Sequence, residues 1–165
     1  MSKGEFVRTF SLPVLTEKIG IFPYDDEDTS LLSGTVLLHV QSDLWESEHE
    51  PDDQDIRDAR VFLLKKKAGC MGPNIFLGRA PTNDIVLAGV SVSKSHAQVT
   101  HIADTGSYQI ADMFSSNGTY MNGEKVHPFV EHHINDYDQI SLGPHYHLIY
   151  HSPQAFYELL VSLRS

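Results

Sequence analysis

Four short clusters near the middle of the chain carry side chains suited to one kind of chemistry. They are Gly78-Arg79, Asn83-Asp84-Ile85, Ser93-Lys94-Ser95-His96, and Ser115-Ser116-Asn117-Gly118-Thr119 followed by Asn122-Gly123. Together they offer a guanidinium (Arg79), an ammonium (Lys94), hydroxyls (Ser93, Ser115, Ser116) and a carboxamide (Asn117). These groups donate hydrogen bonds around fixed positive charge, and only His96 among them could serve as a general base. Such a set suits a bound anion better than a reaction. Arginine meets phosphate oxygens with a planar fork and keeps its charge. Serine hydroxyls and loop N–H groups can complete the shell, and asparagine can bond a peptide main chain through both ends of its amide. The chemistry implied is capture of a phosphorylated peptide.

Residues so far apart in sequence need a scaffold that brings loops together. After residue 58 short β-rich runs recur: 60–65, 74–77, 84–87, 96–102, 108–112, 119–121, 138–142 and 145–150. Val99, Tyr108 and Ile110 alternate with polar residues, as half-buried strands require. Turn formers separate the runs, among them Gly72-Pro73-Asn74, Asp104-Thr105-Gly106 and Asn122-Gly123. Many short strands with turns between them predict an all-β sandwich, whose end loops meet in space. Ser152-Pro153 then opens a helix over 154–163, with Ser152 as N-cap and an apolar face at Phe156, Leu159, Leu160 and Leu163.

The rest of the chain differs in charge. Its 165 residues carry 12 Lys and Arg against 22 Asp and Glu, a net charge of −10. Residues 1–58 hold the whole excess, chiefly in Asp25-Asp26-Glu27-Asp28 and between Asp43 and Asp58. The division predicted is an acidic N-terminal extension (1–58), a sandwich domain (59–151) and a C-terminal helix (152–165). One β-rich run, 33–40, falls inside the extension, while Pro13 and Pro23 interrupt any long helix over 6–24. A chain this acidic repels a phosphate backbone, so nucleic acid is not the expected ligand. The single cysteine, Cys70, allows no internal disulfide and fits a reducing cytoplasm. No apolar stretch is long enough to span a bilayer, and the first residues do not read as a signal peptide.

In order and approximate spacing, the Gly-Arg pair, the Asn-Asp pair, the Ser-x-x-His quartet and the Ser-Ser-Asn-Gly-Thr-x-x-Asn-Gly string resemble a forkhead-associated (FHA) domain. Asp138-Gln139-Ile140-Ser141-Leu142-Gly143 is similar to that family's late strand. The likeness runs from about Val61 to Ile149. It implies an eleven-stranded β-sandwich whose end loops bind phosphothreonine peptides, acting as a non-catalytic adaptor without a cofactor. The expected partners are a phosphothreonine protein and a Ser/Thr kinase or its substrate. By resemblance Arg79 and Ser93 hold the phosphate, Ser116 joins them, Asn117 bonds the peptide backbone, and Lys94 adds charge beside the peptide. Gly78, His96, Gly118 and Asn122 would support the loops. The chain departs from the family pattern twice: Lys94 stands where arginine is frequent, and Tyr137 replaces the glycine expected before Asp138.

Three other readings compete. The sandwich could be a phosphate-independent scaffold, using its extension or its helix. It could bind a phosphothreonine of its own extension, at Thr29 or at Thr9, Thr16 or Thr35. A metal enzyme could use His132, His133, His145 and His147, the last two on one side of a strand, although they show no recognised ligand spacing. Cys70, in a Gly-rich hairpin loop, has no base to make it a nucleophile.

Overall fold

The computed structural model describes residues 1–17, 35–37 and 60–164. Twelve strands and two helices are formed among them: α1 (Lys3–Thr9), β1 (Val14–Glu17), β2 (Thr35–Leu37), β3 (Arg60–Leu63), β4 (Asn74–Gly78), β5 (Ile85–Val86), β6 (Ala97–Ile102), β7 (Ser107–Asp112), β8 (Thr119–Met121), β9 (Glu124–Lys125), β10 (His132–Ile134), β11 (Gln139–Leu142), β12 (Tyr146–His151) and α2 (Pro153–Ser162). The strands make two sheets, ordered β2-β3-β1-β12-β11-β8-β9 and β10-β7-β6-β4-β5. All pairings are antiparallel except β4 with β5. This is the all-β sandwich expected. Its core is built from the inward members of alternating strands, with Leu15, Leu64, Leu77, Val99, Ile110, Ile140 and Leu148 at most 1% exposed.

The acidic segment before residue 58 contributes to this fold. Val14–Glu17 sits between β3 and β12, with Val14 opposite His151 and Leu63. Leu15 there is fully buried. Thr35–Leu37, within the run read as a strand over 33–40, pairs with β3 at the sheet edge. The remainder of that run and both acidic runs lie outside the described residues. The charge break near residue 58 therefore marks a change in composition, while strand pairing begins at residue 14.

Two loops are corrected. Gly69-Cys70-Met71-Gly72 reads as a hairpin loop in the sequence, but β3 and β4 belong to different sheets, so this segment crosses between them. His145 precedes β12 rather than sharing a face with His147.

The C-terminal helix starts where its cap predicts: the Ser152 hydroxyl accepts from the Ala155 N–H at 3.3 Å, and Pro153 occupies the first turn. It packs on α1, which the sequence reading did not assign. α1 is closed by a capping box between Ser2 and Glu5. Phe6 is buried against Phe156 and Tyr157, with ring centroids 6.3 and 5.3 Å away, and Lys3 pairs with Glu158 at 2.6 Å. Both helices lie at the His151 end of β12.

Tyr137, the departure noted above, takes the left-handed conformation a glycine would adopt, at φ 70°. The turn still forms. Tyr137 N–H donates to the Tyr150 carbonyl at 2.8 Å, and Asp138 accepts from Asn135 N–H and Asn122 Nδ2. The ring of Tyr137 lies edge-on to His151, centroids 5.6 Å apart.

Candidate functional site

Four connections converge at the other end of the sandwich: the exit of β4, the segment 87–96 before β6, the segment 113–118 between β7 and β8, and the turn 143–145 between β11 and β12. Hydrogen bonds tie them together. Arg79 N–H donates to the Ser93 carbonyl at 2.9 Å. Ser116 N–H donates to Ser93 Oγ at 3.0 Å. Asn117 Nδ2 donates to the Ser91 carbonyl at 2.9 Å, and Gly143 N–H to the Gly118 carbonyl at 2.8 Å. Arg79, Ser93, Ser116 and Asn117 are thus neighbours in space.

Each polar group in this set keeps capacity for a ligand. Arg79 Nε donates to the Val92 carbonyl at 3.2 Å, which steadies the fork, and among the described residues its two terminal nitrogens have no acceptor. Ser93 Oγ accepts from Ser116 and retains its own hydrogen. Asn117 commits one N–H to Ser91 and keeps its carbonyl oxygen. Ser116 and Asn117 are exposed, as are Arg79 and Lys94. Lys94 takes part in the scaffold through its carbonyl, which accepts from Ala80 N–H at 3.1 Å and from Asn83 Nδ2 at 2.6 Å.

His96 is the internal strut. It is fully buried. Its Nδ1 accepts from Ser93 N–H at 3.0 Å, and its Nε2 lies 3.1 Å from the Gly118 carbonyl. Since Nδ1 must accept, the proton sits on Nε2 and the ring is neutral. Burial pushes its pKa below the ordinary histidine value, against the Gly118 hydrogen bond and the Asp112 charge. One ring therefore fixes the spacing between the Ser93 loop and the Gly118 loop.

Asp112, which the sequence reading left out, holds the second loop. It is 2% exposed. It accepts from Ser115 N–H (3.0 Å), Ser115 Oγ (2.6 Å) and Thr119 Oγ1 (2.7 Å). Burial works to raise its pKa, and these hydrogen bonds outweigh that effect and lower it. Ser115, grouped above with the ligand donors, thus spends its hydroxyl inward. Lys125 was also not singled out. A Cβ added at Gly118 (φ 80°) would meet Lys125 Cε at 2.8 Å and Nζ at 3.4 Å, so this cation lies over the Asn117-Gly118 turn. Among the described residues no carboxylate pairs with Arg79, Lys94 or Lys125.

Gly78 allows the closest approach in the site. A Cβ there would lie 2.4 Å from the Lys94 carbonyl oxygen and 2.8 Å from Asn83 Nδ2. Gly78→Ala is expected to cost about 1–3 kcal/mol of stability by forced displacement of packed backbone, read as a lower urea midpoint at unchanged slope. Asn122 lies away from this cluster. At φ 50° it forms the two-residue β8–β9 turn with Gly123, and its side chain bonds Asp138 and Gln139 N–H at 2.9 Å each.

Among the described residues, the four histidines considered above do not come together. His132 and His133 are on β10, in the sheet opposite His147, whose Nδ1 is 2.7 Å from Ser141 Oγ. Among the described residues no three His, Cys, Asp or Glu side chains gather as metal ligands. Thr16 is 7% exposed with its hydroxyl 2.9 Å from His151 Nε2, so it is inaccessible to a kinase in the folded chain. Thr9 is on α1, at the opposite end from Arg79, and Thr29 lies outside the described residues. No described helix is long and apolar enough to cross a membrane.

A β-sandwich whose end loops gather these groups has the form of a recognition module. A family model described as the FHA domain matches residues 75–143. The oxoglutarate dehydrogenase inhibitor of Corynebacterium diphtheriae is 32% identical over 136 residues, covering 78% of this chain and 92% of that protein. The glycogen accumulation regulator GarA of Mycolicibacterium smegmatis is 37% identical over 71 residues, 43% of this chain and 42% of that one. A solved FHA domain studied for phosphothreonine-dependent interactions aligns at 26% identity and a TM-score of 0.46, over 55% of this chain and 82% of that one. The chain belongs to the FHA domain family.

Proposed function

We propose that this protein is a non-catalytic adaptor that binds phosphothreonine peptides at the Arg79 end of the sandwich, downstream of a Ser/Thr kinase. The observation that carries the reading is the Ser116 N–H to Ser93 Oγ bond beside the Arg79 fork. It joins the Ser116 loop to the Ser93 hydroxyl, one residue from Val92, whose carbonyl accepts from Arg79 Nε. Arg79 and Ser93 hold the phosphate there, Ser116 adds its hydroxyl, and the free carbonyl oxygen of Asn117 accepts a peptide N–H. Lys94 and Lys125 supply positive charge at the rim.

The relatives are named for an inhibited dehydrogenase and for regulated glycogen accumulation, and this chain likewise would act through a partner protein. Its setting is the cytoplasm, where kinases supply phosphothreonine and the exposed Cys70 stays a thiol. Fluorescence anisotropy against a degenerate phosphothreonine library, with unphosphorylated twins, tests the reading. Phosphate-dependent binding supports it, and equal affinity for both peptide sets would sink it. Lys94→Ala is expected to weaken binding by only about 0.2–1 kcal/mol, as for a solvated charge, with a loss that shrinks at high salt.

A further inference from the structure

Two phenylalanines beside the loops are left unexplained by the fold. Phe114 is 77% exposed and Phe129 64% exposed. Both sit in the left-handed region, at φ 58° and 62°, a conformation disfavoured for any residue with a Cβ. Burial does not compensate that strain, because the rings face solvent. Yet the two are held in a defined relation, stacked with planes 6° apart and centroids 6.4 Å apart. The same buried residue positions both: Phe114 follows Asp112 by two residues, and Phe129 N–H donates to the Asp112 carbonyl at 2.9 Å, next to a bridge between Asp112 and Pro128.

This aromatic pair is continuous with the ligand groups. Phe114 immediately precedes Ser115-Ser116, and Ser116 N–H is bonded to Ser93 Oγ. Strain retained where it gives the fold nothing points to use at a binding surface. We propose that Phe114 and Phe129 form a shelf that takes a large apolar or aromatic side chain of the phosphorylated partner, flanking its phosphothreonine. The inference rests on the phosphothreonine reading above. The shelf would select among phosphorylated proteins, while Arg79 and Ser93 would supply the phosphate dependence common to all of them.

The test uses the full chain, as wild type, Phe114→Gly and Phe129→Gly. Glycine relaxes the left-handed backbone, so both variants should fold, and circular dichroism melting verifies this. Phosphothreonine peptides carry glycine, leucine, phenylalanine or glutamate at each flanking position in turn, with unphosphorylated twins. Wild type is expected to prefer an apolar residue at one position by about three- to tenfold over glycine, the scale of one aromatic contact. Both folded variants should lose that preference yet bind the glycine-flanked phosphopeptide as wild type does. A preference that survives in the variants, or its absence from wild type, overturns the shelf. Loss of phosphate dependence with the apolar preference intact overturns the phosphothreonine reading instead. Sedimentation showing self-association of wild type but not of the variants would assign the shelf to a second copy of this chain and overturn the proposal.

Discussion

Arg79→Ala is expected to weaken phosphate-dependent binding by at least about tenfold while leaving the fold intact. The side chain is exposed, and among the described residues its one bond runs from Nε to the Val92 carbonyl at 3.2 Å. Removing it should move stability by no more than about 0.5 kcal/mol, as for surface positions generally. The loss of binding should be far larger. A charge-assisted hydrogen bond contributes about 1.5–3 kcal/mol, and the fork can make two of them to one phosphate. The expected affinity loss is at least about tenfold to a hundredfold. Arg79→Lys separates charge from geometry: it keeps the positive charge, gives up the planar fork, and should fall between wild type and alanine. Anisotropy with one phosphopeptide and its unphosphorylated twin reads all three proteins. If alanine bound the phosphopeptide as wild type does, Arg79 would be a bystander.

The second large effect is expected at His96. Its ring accepts from Ser93 N–H and donates to the Gly118 carbonyl. His96→Leu fills similar space and removes both bonds: Ser93 N–H loses its acceptor, at about 1–3 kcal/mol where it remains buried, while the Gly118 carbonyl keeps only the Gly143 N–H. The variant should therefore unfold at markedly lower urea, and binding by its folded fraction should weaken as the Ser93 and Gly118 loops lose their common strut. The pH dependence has a definite sign. Burial holds the folded pKa of His96 below 6.5, whereas the unfolded chain takes up the proton near 6.5. Below that pH the unfolded state binds more protons, so stability falls with falling pH toward the folded pKa and is level above 6.5. Buried His151 acts in the same direction. His96→Leu should show a shallower loss of stability between pH 7 and 5 than wild type, by the His96 share. Equal slopes would mean that the ring is not held neutral.

The sandwich strands were legible because their apolar residues alternate, as along β6 and β7, and because Asn, Gly and Pro mark the turns between them. The site clusters were legible for a different reason: Arg, Ser and Asn at loop positions have little reason to serve the core. What escaped the sequence has physical causes. β1 has only four residues after Pro13, and its place in the sheet comes from pairing with β12 more than a hundred residues later. β9 is two exposed residues, and β10 is His132-His133-Ile134, with one buried apolar side chain, so neither carries a periodic signal. α1 left a trace in Ser2-x-x-Glu5, a capping box that composition alone does not reveal. Asp112 was hidden because a buried aspartate reads as a turn residue until Ser115 and Thr119 are seen to donate to it.

Tyr137 shows the limit of matching a pattern position by position. A glycine is expected there, yet the tyrosine adopts φ 70° and the Asp138 contacts form around it. The position demands a backbone conformation, which glycine meets most easily and which tyrosine meets here under strain. The same demand at Phe114 and Phe129 is met by two exposed rings that stack on each other, whereas the ring of Tyr137 lies edge-on to the buried His151.

The central claim is that one end of the sandwich receives the phosphothreonine. An NMR titration of the nitrogen-15-labelled protein with a phosphothreonine peptide tests it most directly, with the unphosphorylated peptide as reference. The account expects phosphate-dependent shifts concentrated at the amides of Arg79, Ser93, Lys94, Ser116 and Asn117, with the α1–α2 end undisturbed. Shifts centred on α1 and α2, or the same shifts with both peptides, would contradict it.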